Sequence, residues 1–139
     1  MLSHRRRPRR RRGAAAVELA VVLPFLAFLF LVATDYCRAI YFSQQVTTCA
    51  RNAALYLSDP DSPVQSHYPS LDAAARGDAD PVTASQLTVT STSGADAVGA
   101  YYRVTVSYPF TTISSYPGIP KTTTITRTAL MRPAPVIPK

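Results

Sequence analysis

The chain has 139 residues and a formal charge of +7, from 15 Lys and Arg against 8 Asp and Glu. Seven arginines (Arg5, Arg6, Arg7, Arg9, Arg10, Arg11 and Arg12) crowd the start with no acid among them, and the rest of the chain carries as many acids as bases. This argues against a basic nucleic-acid-binding face, which would spread Lys and Arg over one folded element; two Cys and two His, with neither C-x-x-C nor H-x-x-x-H, give no zinc pattern.

Residues 1–12 lack apolar periodicity and repel themselves, so they are expected to be disordered in water. Residues 14–33 (AAAVELAVVLPFLAFLFLVA) form a twenty-residue apolar run broken only by Glu18 and Pro24. At about 1.5 Å per residue the run spans about 30 Å, the thickness of a bilayer's hydrocarbon core. It is apolar on all sides, unlike a surface helix, and longer than a signal-peptide core. Clustered Lys and Arg beside a span stay in the cytoplasm. The expected topology is therefore single-pass, with the N-terminus inside and residues 35–139 outside.

Beyond the span the pattern turns amphipathic. Tyr36, Ala39, Ile40, Phe42, Val46, Ala50, Ala53 and Leu57 recur at three- to four-residue steps. No Gly or Pro intervenes before Pro60, so one helix is expected from about Ala14 to Leu57. Residues 59–82 form a connector rich in Pro and Asp, with room for a helical turn at Leu71–Arg76. Three runs then alternate with period two: 86–92, 101–110 and 121–131. In the second, Tyr102, Val104, Val106 and Tyr108 share one face. Short Gly- and Pro-containing connections favour an antiparallel meander. Residues 133–139, with three prolines, read as an irregular tail.

The expected fold class is α+β. A transmembrane helix (14–34) continues as an extracytoplasmic helix (35–58) and packs on a small antiparallel sheet of about three strands within residues 83–132. Cys37 and Cys49 would lie about 18 Å apart along one helix, too far to bridge each other. They read as two small buried thiols or as a link to another chain. Ser66-His67 has no defined acidic partner, and the connector aspartates lack a calcium-loop pattern. Tyr101, Tyr102, Tyr108 and Tyr116 read as core and sheet surface. No catalytic, metal or cofactor site is expected, and no small-molecule substrate.

The junction is the most informative stretch. The arginines end in Gly13, a helix begins at Ala14, and Glu18 stands one turn inside the apolar run. Cleavage after Gly13 would create an amine on Ala14 that Glu18, or a neighbouring copy's Glu18, could pair with. Alternatively, Glu18 complements the helix N-terminal dipole, worth about 0.3–1 kcal/mol. Gly13, Glu18, Val21-Val22-Leu23-Pro24, Asp35-Tyr36-Cys37-Arg38 and the following Gln/Ala/Arg-rich helix together resemble the TadE-like family of the Tad/Flp tight-adherence pilus system. The resemblance implies a pilin-like pseudopilin of the bacterial inner membrane. A basic leader (residues 1–13) would be removed by prepilin peptidase at Gly13-Ala14, and Glu18 would serve processing or assembly. Asp35, Tyr36 and Arg38 would serve helix packing; Pro24 either kinks the span so that pilins pack or is a harmless bend. The implied partners are the membrane, the peptidase and other pilins or pseudopilins. Cys37 departs from the glycine usual at its position. The alternative is an unprocessed single-pass protein with an extracytoplasmic β-rich binding domain.

Overall fold

The computed structural model describes residues 11–80, 82–114, 118 and 120–133. The expectations for Met1–Arg10, Tyr116 and the tail beyond Pro133 lie outside the described residues, as do the side chains of Arg11 and Arg12.

One helix dominates. α1 (Arg11–Ser58) has 48 residues and contains Pro24 without a break, about 72 Å at 1.5 Å per residue. It starts at Arg11 rather than Ala14, so Gly13 is helical. No residue from Gly13 to Ala33 is more than partly shielded by the rest of the chain; Val21 and Phe30 are each 73% exposed. The helix ends at Ser58, ahead of Pro60. Two short helices follow, α2 (Ser62–Gln65) with a proline in its first turn and α3 (Leu71–Arg76) capped by Ser70, whose hydroxyl accepts the Ala73 N–H at 3.2 Å. α3 has the expected bounds. α2 was not foreseen, because its only signal is Pro63 at a helix start.

Three strands follow among the described residues: β1 (Thr88–Asp96), β2 (Gly99–Thr111) and β3 (Thr122–Met131), an antiparallel meander in the order β1-β2-β3. The expected first strand was 86–92, with 93–100 as a loop. Instead a 3-10 turn occupies Ala84–Gln86, and pairing runs on through Gly94↔Tyr101 to Asp96↔Gly99. A side chain at Gly94 would meet the Tyr101 hydroxyl at 2.6 Å and its ring at 2.7 Å, so Tyr101 lies over a bare backbone and covers it. The turn is tight because Asp96 Oδ1 accepts the N–H groups of Val98 (3.0 Å) and Gly99 (3.2 Å). Gly99 takes φ 131°, a conformation nearly closed to other residues.

The inner face of the sheet packs on the outer half of α1. Val104, Val106, Tyr108 and Phe110 of β2 are buried, as alternation requires. They meet Val46, Cys49, Ala50 and Ala53 of α1, with Ala75, Ala79 and Val82 closing the end. Phe42 stacks on Tyr108 at 5.6 Å and meets Phe110 edge-on at 5.5 Å. The buried stripe differs from the expected one in two members. Tyr36 is 68% and Ile40 43% exposed. At 100° per residue the stripe through Ala39, Phe42 and Val46 extends back to Asp35, four residues before Ala39, and passes Tyr36 by. The opposite face of the sheet carries mainly hydroxyls: Thr105 meets Thr128, and Ser107 meets Thr126, each at 3.0 Å.

Candidate functional site

The first half of α1 is long and apolar enough to cross a membrane, and none of it is buried within the chain. Apart from its first turn and the carbonyl that Pro24 leaves without an N–H, its backbone groups bond within the helix, as hydrocarbon demands. Even the hydroxyl at its end is turned inward, since Thr34 Oγ1 donates to the Phe30 carbonyl at 2.8 Å. Gly13, Ala14, Glu18 and Pro24 all lie on this exposed half. A side chain added at Gly13 would find nothing within 4 Å. Among the described residues Glu18 makes no ion pair.

Where the span ends, the chain builds a clamp. Asp35, the first residue past 14–34, is 6% exposed. Its Oδ1 accepts the Ile113 N–H at 2.9 Å and its Oδ2 the Ser114 N–H at 3.3 Å. Arg38, one turn on, donates to Oδ1 at 3.3 Å. The Ile113 N–H, and then the Ser114 N–H and Arg38, hold the Asp35 carboxyl below its usual range against the opposing effect of burial. The Arg38 guanidinium also lies over the rings of Phe110 (5.4 Å) and Phe42 (5.7 Å). Asp35 and Arg38 thus tie the β2–β3 connection to the helix. Tyr36, expected in the same role, is left 68% exposed by the rest of the chain. The loop's base is closed by the Thr112 N–H, which donates to the Lys121 carbonyl at 3.0 Å.

Two further ties join neighbouring elements. Arg127 of β3 donates through Nε to Ser43 Oγ at 3.0 Å, pinning the sheet edge to α1. Arg76 grips Asp72 (2.6 and 3.0 Å) and donates to the carbonyls of Ala84 and Leu87 (3.0 Å for Leu87), fastening α3 to the start of β1. Arg127 and Ser43 are 84 residues apart, whereas Arg76 reaches only Asp72 in its own helix and two carbonyls shortly after it.

The remaining candidates take structural parts. Ser66 Oγ accepts the Tyr68 N–H at 3.1 Å, and His67 meets the Tyr68 ring edge-on at 5.6 Å, so the pair shapes a turn. Asp78 accepts from Asn52 at 2.9 Å. Among the described residues no group of three His, Cys, Asp or Glu could hold a metal ion. Cys37 and Cys49 are free. Cys49 is fully buried, and burial pushes its thiol up; Cys37 is exposed, which corrects the reading of two buried thiols.

Residues 13–55 match the family model described as TadE-like protein, just under a third of the chain. The match covers Gly13, Glu18, Pro24 and the Asp35–Arg38 clamp. It supports a membrane protein associated with a Tad-type pilus, a structural family rather than an enzyme family. No curated protein and no solved structure matches the chain.

Proposed function

We propose that the chain is a TadE-like minor pilin or pseudopilin of a Tad-type pilus or secretion apparatus. Its arginine-rich leader stays at the cytoplasmic face of the inner membrane, and residues 35–139 are carried outside. Prepilin peptidase cuts between Gly13 and Ala14. Glu18 then faces the new Ala14 amine of the same or a neighbouring subunit.

One observation carries this reading. The family match runs along a single helix that is wholly bare in its apolar half and packed in its other half. Such a half-helix needs a partner of low polarity, lipid before assembly and other helices after it. The helical backbone at Gly13 favours the alternative of an uncut single-pass protein, since a protease needs an extended chain. The barrier is small. The first N–H groups of a helix have no intrahelical partner, and glycine disfavours the helix by about 1 kcal/mol.

Gly13→Leu tests the cut. Because nothing crowds Gly13, the substitution leaves the fold alone and alters only what the protease meets. The full-length precursor should accumulate in the membrane, and normal maturation of this variant would contradict the proposal. Glu18→Ala should impair processing or assembly, and normal pili would count against its role.

A further inference from the structure

The clamp fixes a loop at the level where the helix leaves the membrane. Ile113 and Ser114 are hydrogen-bonded to Asp35, and Asp35 directly follows the span. Ile113 is nevertheless 61% exposed. Around the helix at this height stand Tyr36 (68% exposed), Ile40 (43%) and Tyr41 (50%). Helical side chains lean toward the helix N-terminus, here toward the span. Ile40 and Tyr41 begin about 9–11 Å beyond Thr34 along the axis and lean back toward a headgroup layer roughly 5–8 Å deep. Tyrosines at that depth suit a bilayer's polar boundary. Farther out, the outward face of α1 turns polar at Gln44, Thr48 and Arg51.

We infer that Ile113, with Tyr36, Ile40 and Tyr41, forms a second membrane contact: a collar seated in the outer phospholipid headgroup layer, with Asp35 as the positioning residue that holds the loop down. The occupant is lipid because the collar is continuous with the bare surface of the span. The inference rests on the span reading above. Its consequence is mechanical: the sheet has two supports on the bilayer, the helix and the loop, so its tilt is set before assembly.

The chain contains no Trp, so single tryptophans report cleanly. Ile113→Trp, Val98→Trp and Phe25→Trp are each reconstituted as the full chain in phosphatidylcholine/phosphatidylglycerol vesicles, with and without bromine on the acyl chains. Val98 is 79% exposed at the β1–β2 turn, the other end of β2, roughly 40 Å from the loop at about 3.3 Å per residue. Ile113→Trp should emit to the blue of Val98→Trp and be quenched several-fold more by brominated lipid, though less than Phe25→Trp. Adding Asp35→Ala should bring it toward the Val98→Trp level, and unchanged quenching would remove Asp35 from the account. If Ile113→Trp matches Val98→Trp while Phe25→Trp is quenched, the span stands and the loop contact is wrong. If Phe25→Trp is not quenched, the span reading falls and the collar with it. A blue-shifted Ile113→Trp that lipid bromine does not quench, and that reddens as protein is diluted in lipid, means a neighbouring chain covers the loop; this also overturns the inference.

Discussion

Asp35 accepts two backbone N–H groups and an arginine just past the end of the candidate span. A carboxylate does this better than any neutral side chain, because charge-assisted bonds are the stronger ones. Its lowered pKa has a definite sign. The clamp is complete above the unfolded aspartate value of about 3.9 and is lost as the pH falls through the lower folded value. Amide exchange at Ile113 and Ser114 should therefore stay slow from neutral pH down to about that value, after correction for the intrinsic exchange rate, and become fast below it. In Asp35→Ala the two amides should exchange several-fold faster at neutral pH, a difference that vanishes once acid has protonated Asp35 in the unaltered chain, while Val104 and Val106 stay protected. Unchanged protection at Ile113 would show that the loop is held by something other than this carboxylate.

At the scale of elements, α1 is one helix in two environments. Its outer half presents Ala50, Ala53 and Ala54 to its neighbours, all at most 1% exposed. Such small side chains let the sheet and α3 come close, and leave no slack. Ala53→Leu should overfill this contact and destabilise the sheet-bearing part by about 1–3 kcal/mol. Leu55→Ala, on the exposed side of the same turn, should change stability by less than about 0.5 kcal/mol. Thermal unfolding in detergent, followed by the sheet's circular dichroism, measures both; equal effects would contradict the packing described. These elements were largely legible in the sequence, because burial imposes a period of 3.6 on α1 and of 2 on β2. Tyr36 was misplaced because periodicity sees only apolar residues, and the stripe's true first member is an aspartate. The extension of β1 through Gly94 was hidden because its support, the Tyr101 ring, comes from the next strand. The clamp itself was beyond reach, since Asp35 and Ile113 are 78 residues apart and nothing local marks the N–H groups it binds.

At the scale of the whole molecule, charge and structure are segregated. The seven arginines stand before the span, and the remainder is neutral in side-chain charge. In the proposed function the arginines act once, holding the leader at the cytoplasmic face, and leave with it. The product keeps a bare apolar half-helix, a small Ala-lined core, and a sheet whose other face offers mainly hydroxyls. The most direct test is the mass of the protein extracted from membranes of cells that carry the prepilin peptidase. The account predicts a chain beginning at Ala14. A chain that retains the arginines of residues 5–12 in those cells would contradict it.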